Sequence, residues 1–168
     1  KKTLFEICFG HEELVWHFFV SPEGHLCYRS SPKEEKRWSE PVLLQEDYGG
    51  QFAFTLGSRE QLHLASTDKE NNLWYHHHAR GKWDSSLVQN LLPWPEISNL
   101  DLAADSLGRV HLLYTLRGGP DLEKWQIQHK FRDKEMWQSF VLEEGLGNGE
   151  AKASAAIDGM GNLHVVYS

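Results

Sequence analysis

Cysteine is almost missing from this chain. Cys8 and Cys27 are the only two in 168 residues, too few for a disulfide-framework domain. There is no Cys-x-x-Cys, no Asn-x-Ser/Thr acceptor, no Gly-x-Ser-x-Gly elbow, no phosphate loop and no dinucleotide glycine pattern, which removes the chemistries that travel with short motifs. Basic charge is also scarce. Seventeen Lys and Arg face 24 Asp and Glu, giving a net charge of -7 and a pI near 5.8, and no basic group is denser than Lys33, Lys36 and Arg37. A surface of that sign does not draw in phosphate backbones or anionic lipid, so neither nucleic acid nor membrane is expected as a partner. Long apolar runs are lacking too: no segment resembles a signal-peptide core or a membrane span. A removed leader leaves no trace in a mature chain, so the compartment stays open.

What the chain has is aromatic residues, including seven Trp, and their spacing is periodic. Ala104-Asp105-Ser106-Leu107-Gly108-Arg109-Val110-His111-Leu112-Leu113-Tyr114 echoes Ile157-Asp158-Gly159-Met160-Gly161-Asn162-Leu163-His164-Val165-Val166-Tyr167. Both read Asp-x-x-Gly-x-[Leu/Val]-His-[Leu/Val]-x-Tyr. Weaker copies fall at Gln61-Leu62-His63-Leu64 and Val15-Trp16-His17-Phe18, so that His17, His63, His111 and His164 recur at steps of about fifty residues, the size range of propeller blades. A second marker runs in phase: Trp38, Trp83 and Trp137 each follow a charged turn and open an apolar run. Ahead of each lies a strand-like segment, the clearest being Leu73-Trp74-Tyr75-His76.

Each repeat resolves into four short β-type stretches separated by Gly, Asn, Asp and Pro turns, with no sustained helical period. In the third copy they are expected at 97–104, 109–116, 124–131 and 137–143. The predicted fold class is therefore all-β, a β-propeller of four-stranded antiparallel blades with about 3.5 blades present, as an incomplete ring or half-propeller. Blades are expected at 3–47, 48–95, 96–147 and a half blade at 148–168. Small residues on the third and fourth first strands, among them Ala103, Ala104, Ala153 and Ala155, suit a crowded central axis. One Trp at the start of each outer strand suits the widening gap between neighbouring blades.

On these residues the chain resembles the sialidase-like, Asp-box or BNR-repeat type of β-propeller over nearly its whole length. The stricter Ser-x-Asp-x-Gly-x-Thr-Trp box is absent, because Asp105 and Gly108, like Asp158 and Gly161, stand one residue too far apart. The resemblance therefore implies architecture only. Sialidases of this shape use an arginine triad, an acid/base Asp and a Tyr/Glu pair, and no Arg-Ile-Pro motif or matched arginine set is present.

Candidate chemistry is thin. The repeated histidines sit a whole blade apart, so they serve as structural markers rather than converging on a metal. In Tyr75-His76-His77-His78, strand alternation lets only His76 and His78 share a face, with no ligand-spaced Asp, Glu or Cys nearby. His11-Glu12-Glu13-Leu14-Val15 begins like a zincin motif, but Val15 stands where the second His belongs. No metal and no cofactor is expected. Binding is better served by the loops of one propeller mouth, Gln45 to Gly50, Asn90 to Ile97, Glu143 to Glu150, Ser21 to Gly24, Thr67 to Asn72 and Leu116 to Glu123. Their aromatic and charged members make Tyr48, Trp94, Arg117 and Asp121 the candidate ligand-binding residues, Trp94 standing between Pro93 and Pro95, with packing against the next blade as the alternative role for Trp94.

Three functions follow in order: a non-enzymatic recognition module for a glycan or a protein segment, a glycoside hydrolase of the sialidase-like class with its site partly in other blades, or a structural and assembly domain. An unfinished array leaves an open edge and an uncovered face, so other blades of the same parent protein or a second copy of the chain are the expected structural partners. Cys8 and Cys27, two strand spacings or about 9.5 Å apart in one blade, are expected to be free thiols.

Overall fold

A computed structural model describes residues 6–9, 14–35, 37–57, 61–118, 123–147 and 151–168, the first segment in its backbone only. The fold is all-β, in four separate antiparallel sheets. Sheet 1 holds β1 (Glu6–Phe9), β2 (Leu14–Val20), β3 (Leu26–Pro32) and β4 (Val42–Gln45); sheet 2 holds β5 (Tyr48–Leu56), β6 (Leu62–Asp68), β7 (Asn72–Ala79) and β8 (Lys82–Asn90). Sheet 3 holds β9 (Glu96–Ala104), β10 (Val110–Arg117), β11 (Lys124–Asp133) and β12 (Met136–Leu146), and sheet 4 only β13 (Ala153–Ile157) and β14 (Leu163–Tyr167). Every sheet is an up-and-down meander, with each strand paired to its sequence neighbour.

Four turns share one device. Asp105 and Asp158 each accept backbone N–H bonds from the residues two and four positions on, at 2.8–2.9 Å, and Gly108 and Gly161 take the positive φ that closes the turn. Asp68 does the same with Asn71 at φ 60° in the glycine position, and Ser21 and Gly24 make a weaker version. Asn tolerates the left-handed region well enough to replace Gly.

Strand alternation gives sheets 2 and 3 one face toward the sheet before and one toward the sheet after. Sheet 2 turns Ala65, Leu73 and Tyr75 onto Leu102, Val110, Leu112, Tyr114 and Leu116 of sheet 3. Sheet 3 turns Leu113 and Ile127 onto Ala153 of sheet 4 and onto Ala151 just ahead of it. Sheet 1 turns Trp16, Phe18 and Leu26 onto Leu62 and Leu64 of sheet 2. Phe18, Leu64, Leu112 and Leu113 are fully buried, each removal from water contributing about 1.5–3 kcal/mol. The first strands β5 and β9, and β9 and β13, lie beside one another. There Asn99 Nδ2 donates to the Ala151 carbonyl at 3.0 Å and Asp101 Oδ2 accepts from the Ala155 N–H at 3.0 Å.

Two expectations need correction. The weak copy at Val15-Trp16-His17-Phe18 is one residue out of register with the others. Ser21 occupies the place of Asp68, so Trp16, not His17, corresponds to His63, and a one-residue slip reverses the face a side chain meets. Trp16 accordingly packs on sheet 2, with Trp83 at 6.0 Å, while His17 lies on the opposite face and accepts a 3.0 Å bond from Arg29 Nε. Trp38 does not open a strand: it sits in the irregular segment before β4. The two later tryptophans do bridge sheets, Trp83 onto Trp16, Phe18 and Tyr28 and Trp137 onto Tyr75 at 5.4 Å. Cys27 is a buried free thiol, its pKa raised by burial and by Glu23; the Cys8 side chain lies outside the described residues.

Candidate functional site

The turn after β6 does more than reverse the chain. Asp68 Oδ2 accepts from Asn72 Nδ2 at 2.9 Å and from the indole Nε1 of Trp74 at 2.8 Å, so a backbone-anchored carboxylate fixes the edge of a half-buried Trp on β7. Desolvation raises the Asp68 pKa, but the bonds from Trp74, Asn72 and Glu70 together outweigh it and hold the carboxyl below its ordinary value. Asp68 stays ionised and its lone pairs are committed.

Beside Trp74 a cleft of about 540 Å³ opens between the end of sheet 1 and sheet 2, within the range of small-ligand sites. Its floor is polar and buried. His76 Nε2 lies 2.8 Å from Ser66 Oγ and 3.1 Å from Gln45 Oε1, and its Nδ1 lies 2.7 Å from Ser85 Oγ. Ser66 Oγ also donates to Gln45 Oε1, and Gln45 Nε2 donates to the Thr67 carbonyl at 2.9 Å. Burial lowers the His76 pKa to about 4, so the imidazole is neutral at physiological pH. Leu44 and Trp74 give the walls, and Glu46, Asp47, Asp68, Lys69 and Glu70 form the rim. Lys69 Nζ lies 3.1 Å from Asp47 Oδ1.

The cleft offers an aromatic wall, fixed hydroxyl and amide groups and acceptor carboxylates. Asp68, held below its ordinary value, does not meet a glycosidic general acid's need for a raised carboxyl pKa.

The residues singled out in the sequence lie elsewhere. Tyr48 packs with Phe52 at the sheet 1–sheet 2 core. Trp94 packs against the core between sheets 2 and 3, and its backbone N–H donates to the Leu91 carbonyl at 2.9 Å. Arg117 lines a cleft of about 100 Å³ with Glu96, Glu123, Lys124 and Trp125. The Trp94 loop and Arg117 are brought to the same end, where Gly118 sits so close to Pro95 that a side chain there would collide with its Cγ; Tyr48 is not part of that group. Asp121, like His11, Glu12 and Glu13, lies outside the described residues. Two expected loops, around Gln45 and Thr67, do line the cleft, but the aromatic residue beside them is Trp74, the third residue of β7.

The repeated histidines do not converge. His63 Nδ1 lies 2.6 Å from the Tyr75 hydroxyl, His111 Nδ1 lies 3.1 Å from His129 Nε2, and His164 Nε2 lies 2.9 Å from Asp158 Oδ2. His63 and His77 stack 4.9 Å apart with rings nearly parallel, an orientation in which ring lone pairs do not meet at one ion. Among the described residues no group of three or more His, Cys, Asp or Glu is arranged to hold a metal.

No family model matches the chain, and no curated protein matches it. Solved structures do. A protein of unknown function from Dyadobacter fermentans DSM 18053 superimposes with a TM-score of 0.66 at 13% identity, over 96% of this chain and 60% of its own. An ulvan lyase of polysaccharide lyase family PL25 superimposes with a TM-score of 0.63 at 9% identity, over 90% of this chain and 45% of its own, and the same holds for its structure bound to -[GlcA(1-4)Rha3S]-. The likeness is one of fold. The chain thus spans between 45% and 60% of the length of these neighbours.

Proposed function

We propose that this chain is a run of β-propeller blades of sialidase-like type that recognises a glycan in the cleft between sheets 1 and 2, without catalysing a reaction on it. The meander sheets, their adjacent first strands and the recurring Asp-x-x-[Gly/Asn] turns support the propeller. The further blades come from the rest of the parent protein or from a second copy. A polysaccharide lyase among the fold neighbours favours a carbohydrate over a protein segment as ligand.

The observation that carries the reading is the immobilised indole of Trp74 beside a buried polar floor. Sugar rings present apolar C–H faces and a hydroxyl fringe. A Trp held at its edge loses little freedom on stacking, and Ser85, Gln45 and the rim carboxylates supply acceptors and donors for hydroxyls. Calorimetric titration of the protein with a panel of neutral, basic and acidic oligosaccharides tests it. Binding is expected for at least one sugar class, abolished by Trp74→Ala and partly kept by Trp74→Phe, which retains a ring. Absence of binding across the panel, or binding indifferent to Trp74→Ala, would refute it.

A further inference from the structure

The rim of the cleft is strongly one-signed. Four carboxylates, Glu46, Asp47, Asp68 and Glu70, face a single cation, Lys69. Their availability differs. Asp47 is engaged with Lys69, and Asp68 is saturated by bonds from Glu70, Asn72 and Trp74. Glu46 and Glu70 are exposed and make no ion pair among the described residues. The floor adds no positive charge, because His76 is neutral above about pH 4. The face of the Trp74 indole carries the negative end of the ring quadrupole, which attracts a cation.

These features complement a cation. Building on the glycan-binding reading above, we propose that the cleft selects a sugar carrying a protonated amine, a 2-amino-2-deoxyhexose unit of a deacetylated oligosaccharide, over N-acetylated, uronate or sulfated sugars. The ammonium sits between Glu46 and Glu70 against the indole, and the hydroxyls meet Ser85 and Gln45. An anionic unit such as the glucuronate and sulfated rhamnose bound to the ulvan lyase meets only Lys69, whose charge Asp47 already offsets. Two exposed carboxylates and one cation–π contact together favour the amine by about tenfold.

The test is calorimetry at about pH 6, where His76 stays neutral, with a glucosamine tetramer, its N-acetylated counterpart and a glucuronate oligosaccharide. The amine-bearing tetramer is expected to bind about tenfold tighter than the acetylated one, with the margin shrinking as salt screens the pair. The double variant Glu46→Gln/Glu70→Gln, at two exposed positions, should keep the thermal midpoint and erase the margin between the amine-bearing and the acetylated tetramer. Equal or tighter binding of the acetylated or acidic sugar, or a margin that survives the double variant, overturns the selectivity but leaves glycan binding standing. If none of the three sugars binds, both readings fall; a lysine-rich peptide binding tighter than every sugar overturns them in favour of a protein ligand.

Discussion

The junctions on either side of sheet 2 are built from corresponding positions yet end in opposite states. Between sheets 2 and 3 the link from β8 to β9 is long, and it sends fully buried Leu91 and half-buried Trp94 into the core beside Leu116. Between sheets 1 and 2 the link from β4 to β5 is only Glu46 and Asp47, both exposed, and the cleft stands open above His76. The position of His76 in sheet 3 is held by Lys130, buried and bonded to Ser139 Oγ. A repeat can therefore keep its strands while the link between sheets and the residues that line the junction set whether it is filled or left open.

The largest expected effect comes from acid, which acts on both junctions through buried histidines. Burial lowers His76, on the cleft side, and His63, on the sheet 3 side, to about 4, with His77 and Arg132 adding to the effect on His63. Because the folded pKa lies below the unfolded value near 6.5, the stability these neutral rings represent is complete above about pH 6.5. It is lost as pH falls toward about 4, by about 3 kcal/mol for each ring. Chemical denaturation across that range should show the decline, and His63→Gln or His76→Gln should each flatten its slope.

Next come the bridging tryptophans. Trp83→Ala, which strips the sheet 1–sheet 2 junction of its contacts with Trp16, Phe18 and Tyr28, should cost about 3 kcal/mol in equilibrium unfolding. Leu91→Ala, which thins the plug of the other junction, should cost about 2 kcal/mol and leave sugar binding at the cleft unaltered. Asp68→Ala should cost about 1 kcal/mol through the lost turn bonds, and the Trp74 indole proton should then exchange faster by NMR. The smallest change is expected for Trp38→Ala, below about 1 kcal/mol, because the ring contacts of Trp38 among the described residues are with Arg29 and His17 of its own sheet. Equal costs for Trp38 and Trp83 would break the comparison.

Much of this was readable in the residues. Strands expected at 97–104, 109–116, 124–131 and 137–143 fall on Glu96–Ala104, Val110–Arg117, Lys124–Asp133 and Met136–Leu146, since alternation and turn residues are local signals. The Asp68 turn does not match the repeat in sequence because Asn71 stands in place of Gly and the turn follows the second strand rather than the first. Residue type alone aligns His17 with His63, whereas the turn at Ser21 fixes the phase one residue earlier. Trp74 reads as strand filling in Leu73-Trp74-Tyr75-His76, and no local pattern reveals that its indole is pinned by Asp68 at a junction whose other wall comes from sheet 1. The cleft depends on how two sheets meet, a non-local fact that spacing does not carry.

The most direct test is to follow the side-chain indole resonances of Trp74 and Trp94 in one NMR titration with the glucosamine tetramer. The Trp74 indole should shift and saturate while Trp94, packed in the neighbouring junction, stays fixed. A saturable shift of Trp94 with Trp74 unmoved would contradict the account and move the site to the loop between Asn90 and Glu96.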